Sequence, residues 1–167
     1  SPNIDVAKSF ANLLNCRFLQ ANAIADLYGV EYCAVIKNII AIACGITRGL
    51  GFGDNFQAVL VSNAMQEIKL FLDAVYPETN RDLNSSGYLG DLLVTAYSQF
   101  SRNRTFGNMI GRGYSVKSAQ IEMNMIAEGY YAVRSIYHIS RQHKIQLPII
   151  EAVYAIVYEK ANPQLEM

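Results

Sequence analysis

Neither sign of charge dominates this chain: 14 lysines and arginines balance 14 aspartates and glutamates across 167 residues. Proteins that bind nucleic acid or lie on a membrane surface carry a basic footprint, so neither partner is expected. An arginine cluster in such a chain suits a small anion better than a polyanion. Cysteine is scarce. Cys16, Cys33 and Cys44 are odd in number and lack CxxC spacing, so they read as buried small hydrophobes in a reducing compartment. Histidine is scarcer still: His138 and His143 do not share a helix face and have no cysteine or carboxylate at ligand spacing, so no metal is expected. No basic segment leads into an apolar stretch with a small-residue cleavage site; no secretory leader is expected, and a cytoplasmic protein is. The most apolar run, CAVIKNIIAIACGI from Cys33 to Ile46, is too short to span a bilayer and carries Lys37 and Asn38. Repeats and low-complexity segments are missing too.

What the chain has is hydrophobic residues, 51% of the total, enough to bury a real core without disulfides or metals. Its length suits one domain, or one domain with a piece of another. Helical periodicity runs almost throughout and predicts an all-α fold. Asp5 is placed to cap an amphipathic helix with Val6, Phe10, Leu13 and Leu14 on one face. CRFLQA, residues 16 to 21, is the one strand-like piece, and a lone strand has no ladder to join. A helix and strand at the start therefore look like the last unit of a sheet domain lying upstream.

A long apolar helix is predicted from about Val30 to Leu50, ended by glycines 49, 51 and 53. GLGFGD is no phosphate-cradling loop, because a helix precedes it where such loops need a strand. It reads as a turn, with Asp54 or Asn55 capping a second long helix. Residues 77 to 87 form a polar break, and YLGDLLVTAY (88 to 97) a short buried helix. Ser101 and Ser115 are placed as helix caps, and Pro148 sits well at a helix start. The Tyr130–Tyr131 pair and the Met-rich EMNMI (122 to 126) read as core.

Three features carry chemistry. Lys37 lies among Val35, Ile36, Ile39 and Ile40 with no wet face in view. Burial disfavours an ammonium and suits a lysine to proton transfer, and Asn38 beside it can orient an oxygen-rich ligand. Asp91 and Thr95 share one helix face within LLVTA; an aspartate among leucines needs a cation, and Lys37 is the natural partner. In SRNR, Ser101 as N-cap puts Arg102 and Asn103 in a first helical turn. Cations there oppose the helix dipole unless an anion is bound. With one bound, free N–H groups and a guanidinium fork converge on it, as a phosphate cradle would.

GVEYCAVIKNIIAIACGITRGLGFGDN (29 to 55), GDLLVTAYSQFSRNRTFGNMIGRG (90 to 113) and IAEGYYAVRSIYHISRQHKIQLPIIEAVYAIVYE (126 to 159) together resemble the NAD(P)-dependent glycerol-3-phosphate dehydrogenases. The resemblance implies a helical substrate domain like that of 6-phosphogluconate dehydrogenase from Gly29 to Met167, with residues 1 to 28 the tail of a preceding Rossmann domain. It implies NAD or NADP as cofactor and glycerol 3-phosphate or dihydroxyacetone phosphate as substrate, feeding glycerophospholipid synthesis. By the same resemblance Lys37 is the catalytic lysine, with Asp91 holding it. Asn38, Asp91, Thr95, Ser101, Arg102 and Asn103 line the substrate, and Arg102, Ile126 and Glu128 touch the cofactor. No GxGxxG in the required context is present, so the main cofactor site would lie in that Rossmann domain, the chain's first partner, and the chain alone is expected to be inactive. An apolar face bared to solvent would favour a homodimer. Two other readings stand beside this one: the helical domain of another phospho- or hydroxy-acid dehydrogenase, and a non-enzymatic helical interaction module with an exposed apolar stripe and no buried Lys–Asp pair.

Overall fold

A computed structural model of the chain describes every residue except Thr79, Asn80 and Asn124, which fall in the predicted polar break and in EMNMI. The fold is all-α. Its helices are α1 (Ile4–Leu14), α2 (Leu27–Gly49), α3 (Asp54–Val75), α4 (Asp91–Tyr97), α5 (Arg102–Gly111), α6 (Val116–Glu122), α7 (Glu128–Gln142), α8 (Pro148–Tyr158) and the short α9 (Pro163–Glu166). The central member is α2, packed by α3, α4, α5, α7 and α8. It is long and apolar enough to cross a membrane by length and composition. Yet Cys33, Ile36 and every residue from Ile39 to Thr47 are buried inside the protein, which makes α2 the axis of a core.

The amino-terminal segment differs from expectation in three ways. Asn3, not Asp5, caps α1: its Oδ1 accepts from the N–H groups of Asp5 and Val6 at 3.0 and 3.3 Å. The predicted apolar face of Val6, Phe10, Leu13 and Leu14 is present but exposed. The expected strand at 16 to 21 is a single antiparallel bridge between Cys16 and Leu19. Among the described residues nothing pairs beside it to extend the ladder, so it closes on itself around Arg17 and Phe18. Cys16 is exposed, whereas Cys33 and Cys44 are buried as expected.

Asp26 anchors the start of α2. Its side chain accepts from Gly29 N–H at 2.9 Å, Arg81 Nε at 2.5 Å and Tyr88 Oη at 2.6 Å. Burial pushes the Asp26 carboxyl up, but the bonds from Arg81, Tyr88 and Gly29 and the Arg81 charge outweigh it and hold the group below its ordinary range. This ion pair is nearly solvent-free and ties the head of α2 to the loop before α4. That loop ends in a wide π turn, Ser86–Gly90, running directly into α4. α4 buries Leu92 and Ala96 but exposes Val94 and Tyr97, so it is half-buried where a buried helix was predicted.

At the other end of α2, Gly49 is the last helical residue, and Gly51 makes the turn at φ +89°. Gly53 caps α3 in place of Asp54 or Asn55, with no side-chain bond. The Gln57 amide reaches back from α3 to Cys44 O at 3.2 Å and Thr47 Oγ1 at 2.6 Å, bracing the turn from inside. Ser101, Ser115 and Pro148 begin helices as predicted. The stacked pairs Tyr130–Tyr158 and Tyr137–Tyr154, with ring centroids 4.8 and 3.8 Å apart, lock α7 onto α8. Of the residues read as core, Tyr131, Met125 and Ile126 are instead exposed.

Among the described residues, α2 packs most extensively against α5. Each helix carries two glycines one turn apart, Gly45 and Gly49 on α2, Gly107 and Gly111 on α5. A methyl group on Gly107 would lie 2.1 Å from Ile42 O, and one on Gly45 2.1 Å from Arg104 O. On Gly49 and Gly111 the distances to Asn108 O and Ile46 O would be 2.4 and 2.2 Å. Backbone therefore meets backbone along two turns, and any side chain would push the helices apart. Gly107→Ala is expected to lose about 2–4 kcal/mol in urea unfolding, an overpacking penalty exceeding the ~1 kcal/mol that alanine gains as a helix former. Gly90→Ala serves as control: its φ of −60° is helical and its nearest neighbour, Ser86 Cβ, lies at 3.4 Å. It should be neutral or slightly stabilising.

Glu67 on α3 is a second hidden device. Its carboxylate is buried and accepts from Ile149 N–H at 2.7 Å and Ile150 N–H at 3.3 Å, capping α8, whose Leu147 cap provides no side-chain bond. Burial pushes the Glu67 carboxyl up to about 7, the two N–H bonds act against that, and the Glu151 charge adds to it. The native state thus keeps a proton that the unfolded chain releases near pH 4.5. Stability from this group is complete below pH 4.5 and declines as pH rises through about 7. Glu67→Gln should flatten that decline and leave the variant more stable than the parent at pH 8. The expected gain is at most about 3 kcal/mol, from 1.36 kcal/mol per unit, read from thermal unfolding of both proteins across pH 5 to 8.

Candidate active site

The glycine crossing sets the start of α5 against the middle of α2, and the predicted site residues gather there. Lys37 projects from α2 toward the first turn of α4, where its Nζ donates to Asp91 Oδ2 at 2.5 Å. The two side chains are 21% and 36% exposed, so Lys37 is sheltered but not stripped of water as the sequence suggested. It sits on the one strip of α2, with Ala34 and Asn38, that the packing leaves partly open. One turn earlier, Cys33 lies against the pair. Burial and then the Asp91 charge push its thiol up to about 12, with Lys37 acting in the opposite direction, so Cys33 is inert as a nucleophile. Thr95 is half-buried one turn along α4, its hydroxyl donating to Asp91 O at 2.8 Å.

Asn38 faces α5. Its Oδ1 accepts from Asn103 Nδ2 at 3.0 Å, and its Nδ2 donates to Ala34 O at 3.2 Å. Asn103 is buried and continues the chain of bonds: its Oδ1 accepts from Gly129 N–H, in the first turn of α7, at 2.8 Å. Gly129 has room for no side chain, since a methyl group would lie 2.6 Å from Asn38 O. Asn103, expected as a substrate contact alone, is therefore the bracket joining α2, α5 and α7. Ser101 uses its Oγ to accept from Arg104 N–H at 3.3 Å.

The two arginines of SRNR divide. Arg102 faces outward, and its Nη2 donates to Glu128 Oε1 at 2.8 Å. Arg104 lies toward α2, where its charge acts on Cys44 and its Nε is buried with no hydrogen-bond partner among the described residues. Ile126, 64% exposed, lines a cavity of about 270 Å³ with Phe106, Met125 and Tyr131. The Arg102–Glu128 pair lies beside this cavity, with Arg102 Nη1 3.9 Å from Met125 Sδ. No group of metal-binding residues occurs among the described residues.

Lys37 and Asp91 form one polar pair, and the bonded amides of Asn38, next to Lys37, and Asn103, next to Arg102, link it to the helix start that carries Arg102. The structure brings Lys37 to Asp91 and joins Asn38, Asn103 and the start of α7. It binds Arg102 to Glu128, and it leaves Ile126 open beside them. Sequence reasoning missed the reciprocal glycines and Asn103's structural bonds; the four-residue glycine spacing in CGITRG and FGNMIG was the available signal for the first.

The architecture of the chain recurs in solved structures. Its fold superposes on a crystal structure of glycerol-3-phosphate dehydrogenase from Coxiella burnetii with a TM-score of 0.89 at 32% identity, over 98% of this chain and 50% of the other. The Saccharomyces cerevisiae glycerol-3-phosphate dehydrogenase shares the fold with a TM-score of 0.86 at 24% identity, over 95% of this chain and 46% of that one. Glycerol-3-phosphate dehydrogenase [NAD(P)+] of Staphylococcus carnosus is 40% identical over 96% of this chain, and that of Chlamydia caviae 39% over 97%. The chain spans about half the length of these curated relatives, 48% in both cases. The family described as NAD-dependent glycerol-3-phosphate dehydrogenase C-terminus matches residues 26–167, and the chain belongs to it.

The bracket at Asn103 can be tested without ligand. Asn103→Ala leaves the buried Gly129 N–H unpaired and should cost about 1–3 kcal/mol in urea unfolding. The Gly129 amide should also exchange faster with deuterium. Unchanged stability and exchange would show that water replaces the bond.

Proposed function

We propose that this chain forms the substrate-binding and proton-transfer half of an enzyme interconverting sn-glycerol 3-phosphate and dihydroxyacetone phosphate with NAD or NADP. Residues 29 to 167 act as the catalytic body and residues 1 to 28 as the tail of a preceding dinucleotide-binding domain. The observation that carries this reading is the 2.5 Å contact between Lys37 and Asp91. The non-enzymatic alternative expected no buried pair and this one is partly sheltered, although the exposed face of α1 is the stripe it did expect. An exposed face is equally what a chain half as long as its relatives would carry where it meets another domain.

In this reading Lys37 donates a proton to the ketone oxygen of dihydroxyacetone phosphate, and takes the C2 hydroxyl proton in the reverse direction. The nicotinamide cofactor, when bound, supplies the hydride. Asp91 keeps the ammonium aimed at the reacting oxygen, and Thr95 fixes the turn from which Asp91 projects. Arg102 supplies the charge that holds the phosphate at the start of α5, with the helix dipole in support. Asn38 and Asn103 hold the lysine-bearing and arginine-bearing helices in register, which orients the substrate for transfer. Ile126 and Glu128 border the space for the nicotinamide. Cytoplasmic residence follows from the same reading of a metabolic enzyme.

Alone, the chain should show no turnover. Fused behind the half of the Staphylococcus carnosus relative that it does not cover, it should reduce dihydroxyacetone phosphate. Lys37→Ala in that fusion should lower kcat about 10²- to 10⁴-fold, the usual contribution of a positioned proton donor, with a smaller change in KM. A near-normal kcat would remove Lys37 from the chemistry.

A further inference from the structure

Arg102 is already engaged before any ligand arrives. Its Nη2 donates to Glu128 Oε1 at 2.8 Å, and its Nη1 lies 3.9 Å from Met125 Sδ. The pair is only partly sheltered, with side chains 39% and 60% exposed, so an incoming anion can reach it. Both residues begin helices, Arg102 at the start of α5 and Glu128 at the start of α7. A carboxylate at a helix start is favoured by the dipole and a guanidinium there is not. Glu128 thus neutralises a cation placed where it costs most. A side-chain-to-backbone bond also holds the two residues' neighbours together: Asn103 Oδ1, next to Arg102, accepts from the N–H of Gly129, next to Glu128, at 2.8 Å and out of solvent.

Resting on the reading of Arg102 as the phosphate holder, we propose that Glu128 is a resident counter-anion that the phosphate of the substrate displaces. The carboxylate occupies Nη2, one prong of the guanidinium fork, and both it and the phosphate are negative, so they compete for Arg102. An anion binds only if its bonds to Arg102 and to the α5 start outweigh the Glu128 contact. A phosphate ester, with several acceptor oxygens for the fork and the helix N–H groups, meets that condition better than a ligand with one. Glu128 therefore sets the threshold for ligand entry and hastens release, since it stands ready to retake the guanidinium when the phosphate leaves. The displaced carboxylate stays at the head of α7, beside the wall formed by Met125 and Ile126. Substrate binding thereby changes the charge that this wall presents.

The test titrates inorganic phosphate into the 167-residue chain, following backbone amides of residues 101 to 103 and the Glu128 side-chain carboxyl carbon by NMR. Glu128→Gln, which removes the competing charge and keeps the length, should bind phosphate about three- to tenfold more tightly, as expected for freeing a partly exposed ion pair and removing a like charge. Glu128→Asp, charged but one methylene shorter, should fall between the two. In the parent, phosphate should shift the Glu128 carboxyl signal, and in Arg102→Gln, phosphate binding should be lost. Unchanged or weaker binding in Glu128→Gln, with binding lost in Arg102→Gln, overturns the competition and leaves the phosphate reading intact. Arg102→Gln that binds like the parent sinks both, as does the absence of phosphate binding in every protein tested.

Discussion

Two helices whose backbones meet at glycines hold the site together. Where Gly45 and Gly49 face Gly107 and Gly111, carbonyl oxygens sit where β-carbons would be, and the axes of α2 and α5 approach more closely than any pair of larger side chains permits. That approach lets Asn38 and Asn103 meet at 3.0 Å across the helix gap. It also ties the start of α5, where Arg102 adjoins Asn103, to the turn of α2 that carries Lys37 beside Asn38. A helix pair spaced by leucines would leave those amides unpaired and separate the proton donor from the anion holder. The chemistry on the surface of the domain is therefore set by what is missing from its interior.

From that contact the rest of the polar architecture follows outward. Asn103 carries the constraint to α7 through Gly129, and α7 in turn brings Glu128 to Arg102. On the other side, Asp26 fixes the head of α2 through Arg81 and Tyr88, so the π turn and α4 behind it deliver Asp91 to Lys37. Buried polar side chains recur as caps borrowed across space: Glu67 for α8, Asn103 for α7, Gln57 for the turn after α2. Each satisfies backbone groups that the local sequence leaves open, and each welds two helices that hydrophobic packing alone would let slide.

How much of this could be read from the sequence depends on whether the cause was local. Helical periodicity, the caps at Ser101 and Ser115 and the proline at 148 are local signals, and the all-α fold came with them. The pairing of Lys37 with Asp91 was legible because two charges in apolar runs each needed a partner. The borrowed caps were not legible, since Glu67 and Ile149 are joined only by the fold. The reciprocal glycines were visible as letters, but Gly49 read as a helix end because its packing partner lies on α5. CRFLQA shows the opposite failure: its β-type residues favour extended backbone, yet a strand exists only where another lies beside it. Arg102 is intermediate, legible as a cation out of place at a helix start, while the carboxylate that answers it comes from another helix.

The three cysteines end up with unequal addresses, and this gives the molecule a defined response to oxidants and thiol reagents. Burial pushes the thiols of Cys33 and Cys44 up to about 12, and neither is open to solvent. Cys16 stands exposed on the turn after α1. An alkylating dye or a spin label consequently attaches at one position, outside the helical body and away from Lys37. Air oxidation can join two molecules only through their amino-terminal segments, and the packed sulfurs along α2 survive it as hydrocarbon would.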